Sequence, residues 1–179
     1  ADPDVLALTN MNRLQASACD LGEKKIVIAA RKIYELNPYA RLRQFEYGLK
    51  EENFFQFFGG NDRVNLFIEE MDDIQMKVQS RLYARRHKIP VVMATDNGDN
   101  AIIDVERFDL EPNRPLFHGL VKEQELTQTH SHLTMAERVR LASEIVGHDI
   151  TPRTKISLQM VGTKLAAWPQ LGNAATLSG

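Results

Sequence analysis

The sequence has a single cysteine, no long apolar run and no excess of charge of either sign. One cysteine excludes a disulfide framework and any multi-cysteine zinc site within the chain. Because no apolar run approaches the roughly 20 residues that span a bilayer, and no signal peptide is visible, we expect a soluble cytoplasmic protein that does not bind membranes. The net charge of −2, with cations spread among acids, argues against a nucleic-acid-binding protein.

A glycine-rich phosphate loop of the form Gly-x-Gly-x-x-Gly is also missing from the sequence. The chain opens on Ala1 rather than methionine, and its last residues resemble the interior of a helix. We therefore expect it to be a piece of a longer protein. Its 179 residues, 43% of them hydrophobic, are enough for one domain with a real core.

Periodicity and turn signals predict alternating strands and helices. Helical spacing and capping signals predict four helices, over residues 23–36, 51–58, 72–87 and 134–146. Apolar runs predict four strands, over residues 40–47, 64–68, 90–95 and 101–108, the last two forming a hairpin. This order predicts an α/β fold, a partial Rossmann-like and mainly parallel sheet flanked by helices, with a C-terminal hairpin and helical extension.

Charged and amide side chains that suit a nucleotide gather in the first 25 residues. Asp2 is an acid that can hydrogen-bond a ribose hydroxyl, and Asn10 lies between it and Arg13. Arg13 and Lys25 are cations that can hold phosphates. Asp72 follows an apolar strand and opens the next helix, where α/β sheets place ligands and where a carboxylate suits Mg²⁺.

Each of these residues also has a structural interpretation. Asp2 can be an ordinary turn acid, and Lys25 can be a solvated cation on an exposed helix. Asp72 and Asp73 can simply cap a helix, which is compatible with magnesium binding. The pair His130 and His132 has no third ligand nearby, which favours exposed side chains over a metal site.

Taken in order, these motifs resemble the ThiF/MoeB/HesA family, whose adenylating fold is shared with ubiquitin-activating enzymes. The resemblance runs from Asp2 to about Phe108. It rests on six motif positions: Asp2, the Leu-Thr-Asn-Met-Asn-Arg run ending at Arg13, Gly22-Glu-Lys-Lys25, Asn37-Pro38, Asp72 and Lys77. It implies ATP and Mg²⁺ as cofactors, with Asp2 at the ribose, Asn10, Arg13 and Lys25 around the triphosphate, and Asp72 placing magnesium and phosphate.

The resemblance also implies an activity and a domain plan. The full-length protein would adenylate a carboxylate, with the C-terminus of a small carrier protein or a peptide as candidate substrate, and would act as a homodimer. Residues 1–120 would form the nucleotide-binding domain and residues 121–179 its C-terminal helical extension. Later segments resemble a bacterial subgroup that is often fused to a nitroreductase-like domain. The alternative is a non-catalytic nucleotide-binding or scaffolding module that serves such a domain.

The sequence departs from the family pattern in that it lacks the glycine-rich turn, lacks the Cys-x-x-Cys pair of many members and carries an altered acidic motif. The usual Thr-Asp-Asn reads Met71-Asp72-Asp73 here, and it follows two acids, Glu69 and Glu70. Those acids could alter metal binding or could simply be solvated. His118, before a glycine in a loop, is interpreted as a packing residue rather than a catalytic base.

Overall fold

A computed structural model describes residues 1–60, 63–97, 100–123, 134–146 and 151–165. The chain divides into two compact units, Ala1–Asn61 and Asp62–Gly179. The sequence predicts a boundary near residue 120 between a nucleotide-binding domain and its helical extension. The two compact units do not test that boundary, which stays a prediction.

The described residues of the first unit contain one longer helix, one short helix and several 3-10 turns. Helix α1 spans Lys25–Leu36, and the short helix α2 spans Phe54–Phe57. Single 3-10 turns occur at Leu8–Asn10, Ala18–Asp20 and Glu51–Asn53. An antiparallel bridge joins Val5 to Lys24, so the chain before the first 3-10 turn lies beside the start of α1.

Helix α1 begins and ends close to where the sequence predicts. It buries Ile26, Ile28 and Ala30, and its C-cap is Asn37, the residue before a proline. The predicted apolar face is only partly buried, because Leu36 in the last turn is 88% exposed.

The strand predicted over residues 40–47 is wrong, because no strand forms there. The carbonyl of Phe45 accepts hydrogen bonds from the N–H groups of Asp2 and Gly48. The chain therefore turns at 46–47 instead of continuing a ladder. Alternating apolar residues specify a strand only when a neighbouring strand supplies paired backbone groups.

Three of the four phenylalanines around α2 form an aromatic cluster. Phe54 and Phe58 are buried with ring centroids 5.9 Å apart, and Phe57 lies edge-on to Phe58 at 5.1 Å. Phe55 is 69% exposed. One short helix cannot turn all four rings toward a single core, and the structure leaves Phe55 outside it.

The second unit contains a three-stranded sheet in the order β1-β2-β3. Strand β1 (Phe67–Ile68) pairs in parallel with β2 (Val91–Asn97), and β2 pairs in antiparallel fashion with β3 (Asn100–Glu106). The register sets Asn97 opposite Asn100, which confirms the predicted hairpin. The described sheet therefore combines one parallel pairing and one hairpin.

The two faces of this sheet differ in burial. The register places Phe67, Val91 and Glu106 on one face, with Met93 and Asp104 beside them, and all five are buried. The opposite face carries more exposed apolar residues: Ile68, Ile103 and Val105 are 64%, 68% and 42% exposed. The inner face is thus apolar on β1 and β2 but acidic on β3.

Three helices are described in the second unit, two of them where the sequence predicts helices and one, the last, that it does not predict. Helix α3 spans Ile74–Arg86, α4 spans Met135–Val146 and α5 spans Pro152–Met160. Helix α3 contacts α4 and a 3-10 turn at Leu116–Gly119. Beyond its end, Lys88 adopts a left-handed conformation with φ 54°, and the Ile89 N–H bonds back to the Ala84 carbonyl, which stops the helix.

The α/β class predicted from the sequence is confirmed: a small mixed sheet is flanked by helices. Within the described ranges, none of the helices has the length and apolar character needed to cross a bilayer. Gly98 of the predicted Asn97-Gly98 hairpin turn lies outside the described residues, and so do His130 and His132.

Thr134 and Glu137 form a capping box at the start of α4, in agreement with the capping signals that predict this helix, and the box can be tested. Thr134 Oγ1 accepts from the Glu137 N–H at 3.3 Å, and Glu137 Oε2 accepts from the Thr134 N–H at 2.8 Å. We expect Thr134→Ala to lower the free energy of unfolding by about 1 kcal/mol, because the cap's side-chain acceptor is lost. Urea unfolding followed by circular dichroism measures the change.

Thr134→Ser is the matched control for this cap. Serine keeps the hydroxyl oxygen that accepts from Glu137, so the variant should retain most of the stability. Equal losses for the alanine and serine variants would contradict a capping role.

Candidate functional site

Asp2 and Lys25 are both attached to Asp4 in the first unit. The Asp2 carboxylate accepts from the Asp4 N–H at 2.9 Å, which is the contact of an ordinary turn acid. Lys25 Nζ lies 2.8 Å from Asp4 Oδ2. The structure therefore brings together two predicted site residues from the two ends of the N-terminal segment.

Asn10 and Arg13 lie in the loop between those two residues. Asn10 Oδ1 accepts from the Ala7 N–H at 2.9 Å and closes the first 3-10 turn. The Arg13 guanidinium donates to the Thr9 carbonyl at 3.3 Å and to Asn12 Oδ1 at 3.0 Å. Both acceptors are neutral, so neither cancels the charge that Arg13 could offer to a phosphate.

Asp72 lies in the second unit, in the loop between β1 and α3. Its neighbour Asp73 is the N-cap of α3, since Asp73 Oδ1 accepts from the Met76 N–H at 3.0 Å. Capping is therefore the role of Asp73, and the side chain of Asp72 is exposed beside the cap. An exposed carboxylate at this place fits a magnesium ion, which commonly takes only one or two protein ligands.

A buried ionic network lies next to the Asp72 loop, and the sequence interpretation missed it. We call it the Arg81 network; it contains Arg81, Lys77, Glu69, Asp104 and Glu106. Arg81 is fully buried, contacts Glu69, and places its Nε 2.9 Å from Glu106 Oε2 and its Nη2 3.7 Å from Asp104 Oδ2. Two cations thus face three carboxylates inside the protein.

Lys77 is the second cation that pairs with Glu69. Lys77 Nζ lies 2.9 Å from both oxygens of Glu69, and it also contacts the Met93 sulfur at 3.3 Å. The reading of Glu69 as a solvated acid is therefore wrong, because its side chain is fully buried and paired. Its cationic partners also occupy the oxygens that a metal ion would need.

Burial shifts the acid–base behaviour of the carboxylates in this region. Burial raises the pKa of the Glu106 carboxyl above its ordinary value, against the opposing charge of Arg81. Burial likewise raises the pKa of Glu70, whose Oε1 accepts from the Ala94 N–H at 2.8 Å. Glu106 is fully buried, whereas Glu70 is an exposed residue whose carboxylate is only partly shielded from water.

The turn at Leu116–Gly119 has a strained backbone and contacts the Arg81 network. Phe117 and His118 have φ values of 49° and 54°, in the left-handed region that non-glycine residues seldom adopt. The Phe117 N–H donates to Glu106 Oε1 at 2.6 Å, and its ring lies 4.4 Å from the Arg81 guanidinium carbon. These contacts offset the cost of the unusual backbone.

Both ring nitrogens of His118 are engaged in this turn. Arg114 can only donate, so His118 Nδ1 accepts from it at 2.6 Å. His118 Nε2 then carries the proton and donates to Asp104. This geometry agrees with a packing role and leaves no ring nitrogen free to act as a base.

Spacing in the sequence carries a signal for the Arg81 network. Lys77 and Arg81 are four residues apart on α3 and so share one face of the helix. Asp104 and Glu106 are two residues apart on β3 and so share one face of the strand. Paired acids on a strand with paired cations on a helix indicate a buried ion cluster, but they do not identify the partners.

The family model described as the ThiF family matches residues 1–152, and the chain belongs to this family. The chain is 38% identical over 172 residues to the uncharacterized protein MT1398 of Mycobacterium tuberculosis (strain CDC 1551 / Oshkosh). That match covers 96% of this chain and 23% of the relative, so the chain spans about a quarter of the length of the protein it matches.

Among solved structures, the chain is similar to the E. coli tRNA N6-threonylcarbamoyladenosine dehydratase TcdA. The identity is 27%, the match covers 54% of this chain and 40% of that chain, and the TM-score is 0.49. Membership of the ThiF family rests on the family match alone.

Removing Arg81 tests the importance of the buried network. We expect Arg81→Leu to lower the free energy of unfolding by about 3–5 kcal/mol, because three carboxylates would be left with Lys77 as their cation. Urea denaturation followed by circular dichroism measures the loss.

Arg107→Leu is the control for a lost surface ion pair. Arg107 pairs with Asp109 in an exposed position, so its removal should lower the free energy of unfolding far less than Arg81→Leu does. A loss for Arg81→Leu as small as that for Arg107→Leu would contradict the view that Arg81 organises the second unit.

Proposed function

We propose that this chain supplies nucleotide-binding side chains of an enzyme that adenylates a carboxylate with ATP. The observation that carries the proposal is the convergence of Asp2 and Lys25 on Asp4 in a chain of the ThiF family. Family membership suggests the reaction, and the convergence supports the use of both residues at one ligand.

The chemistry of adenylation explains the residue types. A carboxylate oxygen attacks the α-phosphate of ATP, a phosphorus–oxygen bond forms, and pyrophosphate leaves with the electrons of the broken bond. Negative charge grows on the leaving pyrophosphate and on the α-phosphate oxygens. Arg13 and Lys25 would stabilise that charge through charge-assisted hydrogen bonds, and Asp2 would accept from a ribose hydroxyl.

Lys25 would have to exchange Asp4 for a phosphate when the nucleotide binds. The side chain of Asp4 is 64% exposed and that of Lys25 is 22% exposed, so water screens this pair. An ion pair of this kind contributes no more than about 1 kcal/mol, and the exchange costs little. Asp4 holds the ammonium group of Lys25 near the turn that contains Asp2.

Asp72 is proposed as the carboxylate that binds Mg²⁺ and places the phosphates. Because Asp73 serves as the helix cap, the carboxylate of Asp72 does not have to. Among the described residues, no group of three or more acidic, histidine or cysteine side chains is arranged so that it could hold a metal ion. Magnesium held mainly by phosphate oxygens and water, with Asp72 as a protein ligand, is consistent with that distribution.

The substrate and the assembly belong to the same proposal. The carboxylate would be the C-terminus of a small carrier protein or of a peptide, and the full-length protein would act as a homodimer. A non-catalytic nucleotide-binding module that serves a fused oxidoreductase domain is the alternative. Both candidates use the same nucleotide-binding side chains, and an exchange assay separates them.

Replacing Arg13 tests the proposed phosphate contact. In the full-length protein, we expect Arg13→Ala to reduce ATP–pyrophosphate exchange by about 100-fold, because one stabilising donor at the transition state is lost. The assay uses peptides with a free C-terminal carboxylate, and the amidated forms of the same peptides should support no exchange.

Arg31→Ala is the matched control for this substitution. Arg31 is also an arginine of the first unit, but it pairs with Asp20 and is not among the proposed phosphate ligands. Its exchange rate should stay near that of the wild type. Calorimetric binding of ATP without any exchange would favour the non-catalytic module, and a wild-type rate for Arg13→Ala would contradict the phosphate contact.

A further inference from the structure

Glu69 holds the backbone of the loop that carries Asp72. One of its oxygens, Oε1, accepts from the Met71 N–H at 2.6 Å and from Lys77 Nζ at 2.9 Å. The other, Oε2, accepts from Lys77 at 2.9 Å and from Arg81. The carboxylate therefore ties the residue before Asp72 to two turns of α3.

Glu70 separates the same loop from the sheet. The backbone N–H of Glu69 donates to the Val92 carbonyl at 2.9 Å, which is the last ladder bond of the parallel pair. The next donor on β2 is the Ala94 N–H. It donates to the side chain of Glu70 rather than to a backbone carbonyl, so it does not extend the parallel ladder. Backbone pairing with β2 therefore ends at Glu69, before the loop that carries Asp72.

Both neighbours of Asp72 are consequently fixed by hydrogen bonds between side chain and backbone. Met71 is held through its N–H by Glu69, and Asp73 is held as the cap of α3 through the Met76 N–H. The backbone of Asp72 lies between two anchored residues, while its own side chain is exposed. This arrangement restricts where the carboxylate can point.

We propose that Glu69 is a positioning residue that orients Asp72 for Mg²⁺. The inference rests on the proposed function, because it assigns Asp72 to the metal. Groups that orient a metal ligand typically change metal affinity by 10–100-fold when they are removed. Glu69 acts only through the Met71 backbone, since Lys77 and Arg81 occupy its oxygens.

The test compares Lys77→Leu with the double variant Glu69→Leu/Lys77→Leu in the full-length protein. The double variant removes one negative and one positive charge, so Arg81 keeps Glu106 and Asp104 and the charge balance of the network is unchanged. The single variant lacks the same ammonium group but retains the bond between Glu69 and Met71. The double variant keeps the charge balance of the wild type and the single variant keeps the bond between Glu69 and Met71, so a change in the double variant relative to both is assigned to Glu69.

Two measurements are needed, and the first does not depend on activity. We expect the Met71 amide proton of the double variant to exchange with deuterium at least about tenfold faster than that of Lys77→Leu, because its acceptor is gone. We also expect the MgCl₂ concentration at half-maximal ATP–pyrophosphate exchange to rise about tenfold, while the rate at saturating MgCl₂ stays within about a factor of two.

A purely structural role would give a different pattern. Loss of folded protein lowers the rate at every MgCl₂ concentration and leaves the midpoint where it was. An unchanged midpoint, or an unchanged Met71 exchange rate, would overturn the proposal. If the wild type shows no magnesium-dependent ATP binding and no ATP–pyrophosphate exchange, the proposed function fails. Faster deuterium exchange at the Met71 amide of the double variant would in that case show that Glu69 only holds the loop, and its role toward magnesium would be overturned.

Discussion

The buried guanidinium of Arg81 is the constraint on which the second unit depends. A charged group without access to water is stable only when opposite charges and hydrogen-bond acceptors surround it. Helix α3 must therefore lie where Glu69 at the end of β1 and Glu106 on β3 can both reach Arg81. The inner face of the sheet is acidic on β3 for the same reason. Even the left-handed turn at Phe117 is held by the Glu106 oxygen that Arg81 does not use.

The same network connects the core to the candidate site. Glu69 belongs to both, because its side chain is buried against α3 while it accepts from the backbone of Met71. A loop that carries an exposed acid is ordinarily mobile, but this one begins on a buried ion pair and ends on a helix cap. In the first unit, Asp4 has a comparable role for Lys25, although through an exposed pair that can open at little cost. The two units thus present their candidate residues with different degrees of rigidity.

Local patterns in the sequence predicted the helices and the hairpin well. Helix α1 ends at Asn37-Pro38, α4 starts on the capping box of Thr134 and Glu137, and the return of β3 on β2 follows from turn residues between two apolar runs. All three depend on contacts between residues close in sequence. The strand predicted over residues 40–47 failed because a strand needs a partner, and alternation alone does not provide one. Deviations of this type are expected wherever tertiary pairing decides the outcome.

The sequence by itself determined the α/β class, the order of the candidate site residues and the resemblance to the ThiF family, because these follow from periodicity, capping chemistry and residue type. Only the tertiary structure decided what the acids before Asp72 do. In the sequence, Glu69 and Glu70 could be metal ligands or solvated side chains. Packing of α3 on the sheet brings Lys77 and Arg81 to Glu69, and the register of β2 brings the Ala94 N–H to Glu70. Since burial and partners set the role of a carboxylate, and both arise from residues distant in sequence, no local pattern could have settled it.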